Sequence, residues 1–332
     1  MLKNPKVLII NPLGRCASEL PSLNIHLLEA YLNKKGLNAR SYDLSARLWN
    51  NLNTDKEFFK QIYDQFYKKV RTRNGNYLRK ILFLFYLNKK FTHIINNFEK
   101  KEAVNNELLY FYYLFTRIPL VFYKGSNDSL SSVVLKKLLP LGMLKDSNLF
   151  QDLVSPPLDT IGKELKKRLT GVNVVCISAT YDQQLGPMFS LARFIKEYKP
   201  KTRIIIGGRA ITQYADHNKI NHQHFKLVDY VIIDEGEESL FKLITSMDNK
   251  KRLKDVPNLC YMLDDFTIRN RPAFVKNLDS LPPPDYSSFF SDRNIFNKPE
   301  LLPYEIGRGC YWKNCSFCQT YRTESQYREK SA

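Results

Sequence analysis

Three cysteines fall within nine residues near the C-terminal end of the chain. They lie in the run Ile306-Gly307-Arg308-Gly309-Cys310-Tyr311-Trp312-Lys313-Asn314-Cys315-Ser316-Phe317-Cys318. Thiolates at such short spacing can wrap one metal centre. A structural zinc site usually takes four ligands, often as two CxxC-like pairs. Here the fourth is missing: Cys260, the nearest upstream cysteine, is fifty residues away, and no Cys or His follows Cys318. Three thiolates alone suit a [4Fe–4S] cluster with one iron left open for a substrate or cosubstrate. Zinc, or no metal at all, are the alternatives. The other cysteines, Cys16, Cys176 and Cys260, are scattered singly in or beside apolar runs. That is no secreted disulfide framework; it points to a reducing, cytoplasmic compartment.

Such a loop needs a scaffold. Val7–Asn11 is a continuous apolar run, as expected for a strand buried on both faces. After the loop Pro12-Leu13-Gly14-Arg15, Pro21–Lys35 reads as a helix, with Leu23, Leu27, Ala30 and Tyr31 at helical spacing and Gly36 as its stop. Ala39–Leu44 follows as a second strand. The alternation resumes with a helix over Ile161–Leu169 and a strand over Val172–Ser178. A helix at Gly186–Tyr198, strands at Arg203–Ile206 and Tyr230–Ile233, and a helix at Glu238–Met247 complete it. Strands alternating with helices predict a parallel sheet covered on both faces. Leu259–Leu263 and Phe266–Arg269, joined by Asp264-Asp265, read as a terminal hairpin. The expected fold is α/β, doubly wound and Rossmann-like (flavodoxin-like), with five parallel strands in the order 2-1-3-4-5 and Val7–Asn11 central.

In such a sheet, ligands sit at the strand carboxyl ends where strand order reverses, here between strands 1 and 3. The loops concerned are Pro12–Ser18, Ser178–Gln183, Gly207–Arg209 and Glu235–Glu237. Ser178 and Thr180 offer hydroxyls, Gly207 and Gly208 permit close backbone approach, and Glu235 should line the same crevice.

Residues 46–157 break the pattern. Phe58, Phe59, Ile62, Tyr63, Phe66 and Tyr67 recur at helical spacing, so this stretch reads as a helical insertion closed by Ser155-Pro156-Pro157. It is also basic: residues 45–170 hold 22 Lys/Arg against 11 Asp/Glu, so +11 of the chain's +18 lies there. A solvated helical surface explains that excess, and nucleic-acid binding is unlikely. No signal peptide is visible. Leu108–Tyr123 is the most apolar stretch, but it is short and carries Arg117 and Pro119, so a buried aromatic helix is expected rather than a membrane span.

The cysteine run resembles the signature of radical S-adenosylmethionine proteins, specifically those with a cobalamin-binding domain. The usual spacing in that family is C-x3-C-x2-C with an aromatic before the last cysteine. Phe317 fills the aromatic position, and the first gap is one residue longer. Ser178-Ala179-Thr180, then 26 residues, then Gly207-Gly208 is similar to the cobalamin-domain pattern. Asp229–Glu238, which contains Glu235-Gly236-Glu237, and the linker Leu278–Tyr286 resemble segments of the same proteins. The resemblance covers residues 5–44 and 160–320. It implies a [4Fe–4S] cluster on Cys310, Cys315 and Cys318 whose open iron chelates S-adenosylmethionine. Electron transfer from the cluster, fed by an external donor, then yields a 5′-deoxyadenosyl radical. It implies cofactor contacts from Ser178, Thr180, Gly207, Gly208, Glu235, Gly236 and Phe317. Radical chemistry such as methyl transfer would follow, on a small-molecule or peptide substrate that the sequence does not choose.

The resemblance also sets the expected organisation. Residues 1–45 and 158–275 form the cobalamin-binding-like domain, 46–157 the insertion, 276–300 a linker and 301–332 the start of a radical-SAM partial (β/α) barrel. The D-x-H-x-x-G loop of the family is absent after strand 1, which reads Asn11-Pro12-Leu13-Gly14-Arg15-Cys16. Any cobalamin is therefore expected to bind without a protein histidine. His26 reads as structural, and His217, His222 and His224 as a surface loop. Only 14 residues follow Cys318, whereas each barrel unit takes about 30. The sequence as it stands is thus expected to be a fragment, inactive alone, with nothing in Thr320–Ala332 to cover the edge of a first barrel strand at Tyr304–Gly307. The alternative reading is a non-catalytic corrinoid- or partner-binding α/β module.

Overall fold

The computed structural model describes residues 5–14, 20–72, 77–100, 104, 106, 108, 161–217, 220–291, 301–315 and 327–331. Cys16, Phe317, Cys318, Ser155-Pro156-Pro157 and nearly all of Leu108–Tyr123 lie outside these residues.

The chain is mixed α/β around one seven-stranded sheet of order β2-β1-β3-β4-β5-β6-β7. The strands are β1 (Lys6–Asn11), β2 (Asn38–Asp43), β3 (Val174–Ser178), β4 (Arg203–Gly207), β5 (Tyr230–Ile232), β6 (Leu259–Leu263) and β7 (Phe266–Arg269). β1 through β5 run parallel, and the β6–β7 hairpin joins antiparallel at β5, with Val231 opposite Cys260. The expected five parallel strands are therefore extended by two. β1 is interior, between β2 and β3, but it stands one strand from the edge rather than at the centre.

Alternation of side chains explains why Val7–Ile10 of β1 and Val174–Ile177 of β3 are continuous apolar runs. Leu8 and Ile10 point into one cluster, Val7 and Ile9 into the other, and all four are buried. The first cluster lies under α2 (Leu44–Thr54), α3 (Lys56–Thr72), α4 (Tyr77–Asn97), α5 (Leu185–Tyr198) and α6 (Arg209–His217). The second lies under α1 (Leu23–Lys34) and α7 (Glu237–Ser246). Phe59, Ile62 and Phe66 of α3 share one continuous core with Val175 and Ile177 of β3, so the aromatic helices build on the sheet instead of standing apart from it. Each fully buried Leu, Ile or Phe contributes about 1.5–3 kcal/mol by leaving water.

Three local expectations change. The segment after Gly208 is a helix, α6, with Ala210, Ile211 and Tyr214 buried on one face. The strand expected at Tyr304–Gly307 is instead a two-residue β8 (Gly307–Arg308). Its edge is covered, because β9 (Arg328–Glu329) pairs with it antiparallel. And His224 is no surface residue: its ring is buried, with Nε2 3.0 Å from the Tyr214 hydroxyl. A buried aromatic neighbour in the preceding helix draws that loop inward. Among the described residues no helix is long and apolar enough to cross a membrane.

Candidate functional site

A crevice of about 560 Å³ opens at the carboxyl ends of the parallel strands. Its volume falls in the range of small-molecule sites, and its floor is apolar. Ser178 and Thr180 (at the end of β3), Gly207 and Gly208 (at the end of β4), and Glu235 and Gly236 (after β5) all line it. The structure thus brings together the six described residues expected to make cofactor contacts, whereas Pro12, Leu13 and Gly14 of the loop after strand 1 do not line the crevice. Ser178 Oγ accepts a hydrogen bond from Asn24 Nδ2 at 2.8 Å. That leaves the serine's own proton to donate. Ser22 and Asn24, at the start of α1, were missed by sequence reasoning; the only signal was a helix start after Pro21.

The crevice does not lie between β1 and β3, where the change of strand order placed it. Gln184, fully buried, plugs that gap. Its Nε2 donates to Asn11 Oδ1 at 2.9 Å and to Pro12 O at 2.8 Å. Its Oε1 accepts from the backbone N–H groups of Thr180 and Tyr181 at 2.9 and 3.1 Å. Asp43 anchors the same network, accepting from Asn11 Nδ2 at 2.8 Å and from Ser22 N at 3.0 Å. A buried amide using all of its donors and acceptors is hard to displace. The opening therefore shifts to the β3–β4–β5 ends.

Gly208 is demanded by the backbone itself. It sits at φ +96°, and a Cβ there would stand 2.4 Å from Ala179 O. The loop after β5 is held by Asn258, whose Nδ2 donates to Glu235 O at 2.9 Å and to Ala273 O at 2.8 Å. The Glu235 carboxylate points to the C-terminal segment. It accepts from Val275 N at 2.6 Å and pairs with Arg328 at 2.8 Å.

Pro303, Glu305, Gly307, Arg308 and Gly309 close one side of the crevice. Gly309 directly precedes Cys310, so the cysteine loop begins at the crevice rim. Cys310 and Cys315 are both half-buried free thiols, and Lys313 N approaches Cys310 Sγ at 3.5 Å. Cys318 and Phe317, the remaining residues assigned to that loop, lie outside the described residues. Among the described residues no group of three or more His, Cys, Asp or Glu is placed to hold a metal ion.

Cys176 lines the deep end of the crevice, where burial pushes its thiol up to about 12. Burial likewise pushes Cys260, in β6, up to about 11, against the opposing pull of Arg269. Both stay protonated at neutral pH. Asp182, at the start of the turn before α5, is raised by burial, with Arg209 opposing. Burial would raise Glu238, but the hydroxyl of Tyr31 (2.6 Å) and Lys242 outweigh it and hold the carboxyl below its usual range. No histidine lines the crevice among the described residues. His26 is buried on the face of α1 toward β2, where its Nδ1 meets Ser41 Oγ at 2.9 Å and Asp285 O at 3.1 Å.

No protein-family model and no curated protein sequence matches the chain. Among solved structures it is similar to the radical S-adenosylmethionine methyltransferase TsrM from Kitasatospora setae, determined with cobalamin and a [4Fe-4S] cluster bound. The TM-score is 0.42 and the identity 11%, over 99% of this chain, which spans 44% of the length of that one.

Proposed function

We propose that this chain is the cobalamin-binding portion and cluster loop of a radical S-adenosylmethionine protein. In this reading residues 1–45 and 158–275 take the corrinoid, 46–157 are the helical insertion, 276–300 link, and 301–332 begin the radical domain. The observation that carries it is the adjacency of two independent sequence patterns: the Ser178/Gly207/Gly208 crevice is walled by Gly309, the residue before Cys310.

The residues present suit the groups proposed. The crevice joins an apolar floor to a rim of hydroxyl, glycine and carboxylate. No imidazole stands in its described wall, so a corrinoid there would take no histidine to its metal from these residues. Cys310 and Cys315 are reachable from solvent, and soft thiolates suit iron–sulfur ligation. Cys310, Cys315 and Cys318 would hold the [4Fe–4S] cluster, whose chemistry when bound is one-electron reduction of S-adenosylmethionine. The chain's own part is to orient. Ser178 presents a hydrogen-bond donor, Gly207 and Gly208 let a ligand lie against backbone, and the roof from Pro303 to Gly309 keeps water from one side.

The test is anaerobic reconstitution with iron and sulfide. One cluster, with broad visible absorbance, is expected in the wild-type chain and in Cys176→Ala and Cys260→Ala. It should be lost when Cys310, Cys315 and Cys318 are replaced together by Ala. A full cluster in that triple variant would overturn the assignment.

A further inference from the structure

Arg308 stands two residues before Cys310 and points away from it, into a nest of carboxylates. Its Nη2 lies 2.5 Å from Glu237 Oε1, its Nε 2.8 Å from Glu305 Oε1, and its Nη1 3.5 Å from Glu235 Oε2. The Arg308 side chain is 13% exposed and that of Glu237 6%. A second arginine, Arg328 of β9, shares the Glu235 carboxylate at 2.8 Å and donates to Val275 O at 2.7 Å. Two guanidinium groups thus face three carboxylates. Glu237 is the first residue of α7, where the helix's partial positive charge offsets the one left over.

The two sides of this nest belong to different parts of the chain. Glu235 and Glu237 form the rim of the crevice after β5, and Arg308 and Glu305 belong to the segment that leads into the cysteines. Backbone pairing between these parts is slight, because β8 pairs with β9 and not with the large sheet. The chain turns just after Arg308, where Gly309 has φ +83°. A single residue separates Arg308 from Cys310, so where the arginine is held bears on where the cysteine can stand.

We propose that Arg308 is a positioning residue: it hangs the cysteine loop from the carboxylate rim of the crevice and so sets where Cys310 stands relative to that crevice. Arginine suits the task because its planar fork can engage Glu237 and Glu305 at once, which a lysine ammonium cannot do in a fixed geometry. The geometry of the hold is independent of any cofactor. Its functional meaning rests on the reading that Cys310 is a cluster ligand.

The test uses the full chain, free of iron, under reducing conditions. Amide hydrogen exchange is followed in peptides covering residues 303–315, with β3 peptides as the internal control. Arg308→Ala leaves Glu237 buried beside a lost partner and can unfold the chain, so the decisive variants are Arg308→Lys and the neutral pair Arg308→Met with Glu237→Gln. Both should speed exchange at residues 303–311 by about tenfold or more, with β3 unchanged. Iodoacetamide labelling of Cys310 should accelerate in parallel. Unchanged exchange in a folded Met/Gln variant would overturn the proposal. So would wild-type exchange at 303–311 as fast as in a free peptide. Reconstitution then separates this proposal from the cofactor reading. If the wild-type chain takes up no iron, the cluster assignment fails while the exchange result stands. If the wild-type and Met/Gln chains load clusters with the same spin-resonance line shape, the positioning role fails while the cluster assignment stands.

Discussion

Gly208→Ala isolates a backbone demand that the Gly-Gly pattern hides. The residue sits at φ +96°, and a Cβ would lie 2.4 Å from Ala179 O and 2.9 Å from Ala179 C and N. A left-handed backbone costs a non-glycine residue about 1–2 kcal/mol. The contact cannot be relieved by a rotamer change, because every atom it meets is main chain. Relief means parting the β3 and β4 loops, which are held by Ala179 N to Gly207 O at 2.9 Å and Ala210 N to Ala179 O at 3.0 Å. Each such hydrogen bond contributes about 1 kcal/mol, so the expected loss is about 3–4 kcal/mol in all. Gly36 is the matched control, at φ +83° with nothing within 4 Å of its Cβ position. Gly36→Ala should cost only the left-handed penalty, about 1–2 kcal/mol. Both substitutions restrict the unfolded chain equally, so that contribution cancels between them. Urea unfolding monitored by far-ultraviolet circular dichroism gives both values, provided the slope with denaturant is unchanged. If Gly208→Ala costs no more than Gly36→Ala, the close crossing of the two loops is not what requires the glycine.

Two further outcomes follow from burial and charge. In the folded chain at pH 8, iodoacetamide should modify Cys310 and Cys315 readily and leave Cys176 untouched, since Cys176 is buried with its thiol pushed up to about 12; equal labelling by peptide mass spectrometry would contradict this. Burial also lowers His224 below its usual range, so the unfolded chain binds the proton more tightly. Stability should therefore be full above about pH 6.5 and fall as the pH drops below it. His224→Asn should flatten that limb of a thermal-midpoint-against-pH curve, and an unchanged slope would remove His224 as its source.

The elements that sequence made legible are those whose patterning is set by the sheet alone. β1 and β3 are buried on both faces, so their continuous apolar runs could be read without partners, and the β6–β7 hairpin announced itself through Asp264-Asp265. α6 was hidden by its own neighbours. It is nine residues long and begins at Arg209, inside what the Gly-Gly pattern marked as a ligand loop. The shift of the crevice was beyond local reading for a different reason. Gln184 meets Asn11 across 173 positions of sequence, and nothing in Tyr181-Asp182-Gln183-Gln184 says which glutamine turns inward. Arg308 is similar: its motif was visible, but its partner Glu237 is 71 positions away, and pairing over such a distance leaves no periodic trace.

The same bookkeeping of donors and acceptors ranks the proposed crevice contacts. A carboxylate offers about four acceptor sites. Glu235 already spends its oxygens on Val275 N, Arg328 and Arg308, so turning it toward a ligand would take a carboxylate from the half-buried Arg328, while Arg308 keeps Glu237 and Glu305. Ser178 carries no such penalty: its oxygen accepts from Asn24, and its proton can be given to a ligand without breaking anything. Glu235 therefore fits a rim that holds the roof in place better than it fits a ligand contact. Specific recognition in the proposed site falls to Ser178, Thr180 and the glycine backbone beside them. An occupant held in that way would be recognised by acceptor groups along its edge and by its fit to an apolar floor.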